Sequence, residues 1–162
     1  MKKTFIRIST FALTLVLLLC FVSCVPLAPK DKSFSKAGLT ITLTEEFREQ
    51  ELVTQTAYYV SQKAIVTTLK EDGSSISDYT VKQYAELVIS VNNLANTTAT
   101  EKDGYAEFTY EKSLNGKDYY YYARCFKNGT DFWLVQFSCE TKNTETLTPS
   151  FEKWASSITF SS

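Results

Sequence analysis

An α+β domain with a mostly antiparallel sheet flanked by helices is what this 162-residue sequence predicts. Three observations carry the prediction. Short segments with a two-residue apolar period dominate residues 38 to 160. Only two stretches, near residues 78 to 91 and 148 to 158, repeat at helical spacing. Between those stretches lies a strand meander joined by tight glycine turns. The composition, 44% hydrophobic and 22% charged, is that of a globular chain of about one domain.

Gly38 to Leu43 alternates apolar residues with threonine and reads as a strand. Thr44 then caps a single turn, with Glu45 and Glu46 at its positive end. Ala57 to Gln62 and Ala64 to Lys70 read as two more strands, and Glu71 to Ser75 as a loop. Asp78 or Ser77 is expected to cap the first helix. Its apolar face is Val81, Tyr84, Ala85, Val88 and Val91, with Leu87 beside it, and Asn92-Asn93 ends it.

Tyr105 to Lys112, Lys117 to Phe126 and Phe132 to Glu140 form the meander. Asn115-Gly116 is the strongest local signal, because a type I′ turn needs positive φ at both central residues. That turn pairs residue 114 with 117, 110 with 121, 108 with 123 and 106 with 125. It also sets Glu107 opposite Arg124, a favourable cross-strand charge pair. For the next turn the expectation is a type I turn on Lys127-Asn128 with Gly129 as a bulge, pairing 126 with 130. This odd-length loop would put Trp133, Val135, Phe137 and Cys139 on the face of Ala123 and Cys125. Thr148 is expected to cap the second helix, with Pro149 at its first position. Leu147, Phe151, Trp154, Ala155 and Ile158 make its buried stripe, and Ile158 to Phe160 a short closing strand.

The first residues read as an address. Lys2, Lys3 and Arg7 precede an apolar run, Phe11 to Phe21, broken only by Thr14. That run is short for a spanning helix, which needs ~20 residues, and fits a secretory signal over residues 1 to 23. Its end, Phe21-Val22-Ser23-Cys24, resembles a bacterial lipoprotein signal, although Phe21 stands where leucine is preferred. The resemblance implies a thioether-linked diacylglycerol on Cys24 and a membrane anchor on the extracytoplasmic face; two acyl chains suffice for stable anchoring. The other reading is a plain secreted protein with Cys24 as a leftover thiol. Residues 24 to 37 are then the lipidated cysteine and a polar tether, and residues 38 to 160 the single domain.

Several function classes are excluded or disfavoured. There is no histidine, so no His-based triad or His-ligated metal site exists. The signal holds three of the 17 basic residues and none of the 18 acidic ones, which leaves a net charge of −4. No basic patch of nucleic-acid type is present, and no nucleic-acid partner is expected. Gly-rich phosphate loops and serine-hydrolase elbows are absent. The acidic residues at 45, 46, 49 and 51 lack calcium-loop spacing and read as solvated surface. No catalytic residue, metal ligand or cofactor is assigned, and an enzyme is not expected. Cys125 and Cys139 read as unpaired buried residues, because the expected register separates them by ~27 Å along the strand.

The arrangement resembles the PsbP-like fold, which includes bacterial DcrB-type lipoproteins and a Ran-binding nuclear transport factor. The resemblance rests on Gly38 to Leu43 opening the sheet, on the aromatic meander, and on Phe151-Glu152-Lys153-Trp154-Ala155-Ser156-Ser157-Ile158-Thr159-Phe160. It implies a three-layer sandwich with helices on both sheet faces. It also implies binding or accessory roles without a common catalytic site.

The run Tyr119-Tyr120-Tyr121-Tyr122 is the unusual feature. Alternation sends Tyr119 and Tyr121 to one face and Tyr120 and Tyr122 to the other. The candidate binding surface is Tyr120, Tyr122, Arg124, Phe132 and Leu134, expected to align across the hairpin. If it is exposed, it would stack on sugars or anchor a protein loop; otherwise a helix covers it. The function expected is a lipid-anchored extracytoplasmic domain that binds another envelope protein. The alternative is a carrier or sensor for a small apolar or sugar ligand.

Overall fold

In the computed structural model, the structure describes residues 29 to 161. The signal segment and Cys24 lie outside the described residues. Two antiparallel sheets and two helices make three layers. One sheet has the order β1 (Asp31–Lys36), β2 (Leu39–Thr44), β10 (Thr159–Phe160). The other has seven strands: β3 (Arg48–Gln50), β4 (Ala57–Val60), β5 (Ile65–Asp72), β9 (Asp131–Glu140), β8 (Lys117–Asn128), β7 (Tyr105–Leu114) and β6 (Thr100–Lys102), in that spatial order. Helix α1 (Val81–Val91) packs on one face of the large sheet. Helix α2 (Thr144–Ser156) and the small sheet pack on the other. The α+β class is the one the sequence predicts and the layers are those the resemblance implies, but β2, expected to open the main sheet, lies in the separate small sheet.

β1 is a strand inside the segment read as tether. It pairs Lys36 with Leu39 across a two-residue Ala37-Gly38 turn, whose φ values are 52° and 96°. Both are positive, as a type I′ turn requires. Ala37 is poorly suited to that conformation, since an ordinary side chain in the left-handed region costs about 1–2 kcal/mol. Replacing Ala37 with asparagine should therefore stabilise the chain by about 0.5–1 kcal/mol, read as a higher urea midpoint.

The expected Asn115-Gly116 hairpin forms, and the β7–β8 register is 114 with 117, 110 with 121 and 107 with 124. The following hairpin differs from expectation. Asn128 pairs with Asp131 and Phe126 with Trp133, so the loop is the two residues Gly129-Thr130. Gly129 has φ of 62° and Thr130 does not share a positive φ. Glycine at the first central position is the type II′ pattern, which keeps the strand twist without a bulge. An even loop in place of an odd one moves every β9 side chain to the opposite face.

Both helix starts also differ. Thr80 caps α1: its hydroxyl accepts from the Gln83 amide, and the Gln83 side chain accepts from the Thr80 amide. This capping box lies two residues after Asp78. Helix α2 begins at Thr144, after a 3₁₀ turn over Thr141–Asn143, and holds Pro149 in its interior. Thr148 donates to the Thr144 carbonyl at 2.8 Å rather than capping. The predicted stripe still faces inward, with Phe151, Trp154 and Ala155 buried.

Candidate functional site

The register of β9 divides the expected binding surface. Tyr120, Tyr122 and Arg124 face α2 together with Trp133, Val135, Phe137 and Cys139. Phe132 and Leu134 point the other way, under α1. Phe132 stacks on Tyr84 of that helix at 4.6 Å between centroids. The five residues therefore form no common surface.

The Tyr122 side is closed. Tyr122 is 7% exposed and Arg124 7%. Tyr122 packs beside Phe137 at 6.0 Å, in the cluster that contains Phe151 and Trp154 of α2. Its hydroxyl sits in a chain of polar groups. Arg124 Nε donates to Tyr122 Oη at 2.7 Å, and Tyr122 Oη donates to Glu107 Oε2 at 2.7 Å. Arg124 Nη1 reaches Ser156 Oγ at 3.4 Å, and the guanidinium lies 4.2 Å from the Tyr105 ring centre. Burial, then the bond to Glu107, pushes the Tyr122 hydroxyl up, while Arg124 opposes the shift. A buried guanidinium with a cross-strand carboxylate, a bridging hydroxyl and an aromatic platform is a satisfied structural charge. Tyr120 is half-buried against the same cluster.

The open aromatic surface lies on the α1 face. Helix α1 has 11 residues and spans about 16 Å at 1.5 Å per residue. β7 and β9 have 10 residues each and β8 has 12, which at ~3.4 Å per residue is more than 30 Å. One short helix cannot cover that face. It seals Ala106, Phe108, Ala123, Cys125, Phe132 and Leu134. Beyond it, Tyr58, Thr67, Tyr110, Tyr119, Tyr121 and Gln136 share the face and are all half-buried, with no described helix over them. Tyr110 and Tyr121 stack at 4.5 Å with an interplanar angle of 1°. Gln136 Nε2 donates to Tyr110 Oη at 3.0 Å, and burial pushes the Tyr110 hydroxyl up to about 12. The tyrosine alternation was visible in the sequence. The ratio of helix length to strand length was the signal that would have shown which face stays uncovered.

Surface hollows are modest. One of about 390 Å³ lies between Asn92–Thr97, after α1, and Thr109–Lys112 of β7. Another, of about 210 Å³, lies between Pro29, Phe47, Lys63, Leu147 and Trp154. Among the described residues, no group of three or more His, Cys, Asp or Glu converges as a metal site would require. No described helix is long and apolar enough to cross a membrane.

Both described thiols are buried and unpaired. Cys125 pairs across the ladder with Leu134 and faces α1, whereas Cys139 pairs with Tyr120 and faces α2. The sheet itself separates them, which is a different reason from the same-face offset expected. Burial pushes both thiols up, Cys125 with help from the Glu71 charge. Alkylation of the denatured, unreduced chain should label both. A mass showing a bridge between them would contradict this register.

No family model matches the chain, and no curated protein matches it. Solved structures do match. Cyanobacterial PsbP (CyanoP) from Synechocystis sp. PCC 6803 aligns with a TM-score of 0.60 at 14% identity, covering 88% of this chain and 99% of that one. The Saccharomyces cerevisiae Ran-binding protein Mog1p aligns with a TM-score of 0.55 at 8% identity, covering 82% of this chain and 96% of that one. A Bacteroides thetaiotaomicron protein aligns with a TM-score of 0.57 at 11% identity, and 83% of this chain covers 49% of that longer chain. At such identities the likeness carries the fold alone. With its seven-stranded antiparallel sheet between α1 and the α2 layer, this chain has the PsbP-like fold.

Proposed function

We propose that this chain is a lipid-anchored extracytoplasmic domain that docks another envelope protein. The observation that supports it best is the half-buried tyrosine platform beyond the end of α1. Tyr110 and Tyr121 lie flat against each other there, and rigid aromatics give contact area at low entropy cost. The Cys24 anchor belongs to the same proposal, and rests on the sequence alone. From Cys24 to β1 at Asp31 the chain reaches at most ~25 Å, at ~3.5 Å per residue. A domain so tethered would meet partners in or close to the membrane.

The carrier alternative is less well supported. Ligand pockets run to about 300–1,000 Å³ and enclose most of the ligand. The hollow of about 390 Å³ lies open beside an edge strand, and asparagine and threonine side chains line much of it. Chemistry at a thiol is also disfavoured, because Cys125 and Cys139 are buried and held protonated.

Two substitutions test the proposal. Cys24→Ser should release the chain from the membrane fraction or leave the precursor uncleaved; unchanged fractionation and processing would remove the anchor. Tyr121→Ala should cost about 1 kcal/mol of stability through the lost ring pair. If Tyr121 is a true anchor, the same change weakens partner binding by 2 kcal/mol or more, on the order of thirtyfold. Recovery of a cross-linked envelope protein at wild-type yield from Tyr121→Ala cells would exclude the platform.

A further inference from the structure

The outer edge of β7 is open over half its length. β6 pairs only with Tyr105, Ala106 and Glu107. The remaining residues, Phe108 to Leu114, have β8 on one side and, among the described residues, no strand on the other. The direction of their backbone groups follows from the hairpin. In a two-residue hairpin the closing pair, here Leu114 and Lys117, exchanges both backbone bonds, and bonded pairs then alternate along the ladder. Leu114, Lys112, Tyr110 and Phe108 therefore bond inward to β8. Ser113, Glu111 and Thr109 direct their N–H and C=O groups outward. Among the described residues, no backbone bond joins these three to the Asn92–Thr97 segment that passes nearby.

Other edges are better guarded. On β5, past the end of β4, Thr56 fills the gap: its amide donates to the Thr68 carbonyl and its hydroxyl accepts from the Lys70 amide. β3 is only three residues long. β1 carries Lys32 and Lys36, and its Asp31 is tied to Lys153 at 2.9 Å. Short strands, lysines and covering loops are the usual protection of edges. The β7 edge instead borders the hollow of about 390 Å³, whose other wall is Asn92–Thr97. Asn93 and Asn96 hold that wall in left-handed turns, with φ of 53° and 59°.

We propose that the β7 edge from Thr109 to Ser113 takes an extended segment of a partner protein as an additional strand. This deepens the docking function above and rests on it. Outward donors and acceptors at every second residue match an extended backbone, and a globular surface or a small sugar does not present that repeat. Side chains give the preference. Lys112 lies on the tyrosine side and Glu111 on the other, and neither is in an ion pair among the described residues. The incoming strand is expected to carry an acidic residue facing Lys112, a basic one facing Glu111, and a polar side chain entering the hollow.

The probe is a random nonapeptide library selected on the purified, full mature chain in detergent micelles. In the free chain the amides of Thr109, Glu111 and Ser113 should exchange with deuterium quickly, while those of Tyr110 and Lys112 are protected by β8. A selected peptide should slow those three amides and lose at least tenfold in affinity when its alternate backbone nitrogens are methylated. Glu111→Pro should lose as much, since proline removes an outward donor that β8 does not use; if it unfolds, the methylated peptides give the same reading on the unaltered chain. Peptides that bind and leave the three amides fast would overturn the assignment. So would slow exchange in the free monomer, or a concentration-dependent dimer that protects the same amides, which would give the edge to a second copy. If whole-cell cross-linking yields an envelope protein and no peptide engages the edge, the edge proposal falls and docking stands. If both fail, the docking function falls too.

Discussion

Tyr122→Ala is expected to lower the unfolding free energy by roughly 3–5 kcal/mol, the range of buried aromatic truncations. The ring fills space beside Phe137 in the cluster with Phe151 and Trp154, so its removal leaves a cavity that the sheet cannot easily collapse. Its hydroxyl also bridges Arg124 to Glu107. Tyr122→Phe isolates that second effect. It keeps the ring and leaves Arg124 Nε without its 2.7 Å partner, at a cost of about 1–3 kcal/mol. Urea unfolding of both variants should place them in that order, alanine well below phenylalanine and both below the unaltered chain. An unchanged midpoint for Tyr122→Ala would contradict the burial of Tyr122 under α2.

Gly73→Ala should also be costly, although its backbone is ordinary at φ of −87°. The reason is space. A Cβ there would stand 2.7 and 2.9 Å from two Phe132 ring carbons and closer still to the Thr130 carbonyl oxygen. The oxygen belongs to the Gly129-Thr130 turn and cannot swing aside as a flexible side chain would. Phe132 is fully buried and stacked on Tyr84. Overpacking of this kind typically costs 1–3 kcal/mol, occasionally more, and Gly73→Val should exceed Gly73→Ala. A urea midpoint within error of the unaltered chain for both would show that the turn gives way.

Local chemistry was legible wherever one residue pair decides the geometry. Asn115-Gly116 fixed a turn type, and with it the pairing of Glu107 with Arg124 and the alternation of the tyrosines. Gly129 did not carry that force. It suits both an odd bulged loop and an even type II′ loop, and the two differ by one residue. That single residue decided whether Phe132 and Leu134 or Trp133 and Val135 share a face with Tyr122. Apolar character could not arbitrate, because Phe132, Trp133, Leu134 and Val135 are all apolar and all buried. A strand buried on both faces has no amphipathic signal to set its register.

Helix boundaries failed for a related reason. Asp78, Ser77 and Thr80 are all good caps, and only Thr80 stands three residues before a glutamine that completes the box. Pro149 suggested a helix start, yet it lies inside α2. The turns before it are held by residues that give no strong sequence signal. β1 was hidden by its composition. Asp31, Lys32, Ser33, Ser35 and Lys36 are exposed, and Phe34 alone is buried, against Tyr59 at 4.9 Å. One aromatic in a polar run does not distinguish an edge strand from a tether.

The same register places Tyr122 in the core and Tyr121, its neighbour, on the open half of the sheet. The docking proposal depends on that inversion. A photo-cross-linking amino acid at position 121 in intact cells tests it most directly, with position 86 on the outer side of α1 as comparison, where Glu86 is exposed and stands opposite the buried Tyr84, Ala85 and Val88. The expected result is an adduct with one membrane-associated envelope protein from position 121 and little or none from position 86. Equal labelling of many proteins from both positions, or no adduct from position 121 with the chain intact and correctly located, would contradict it.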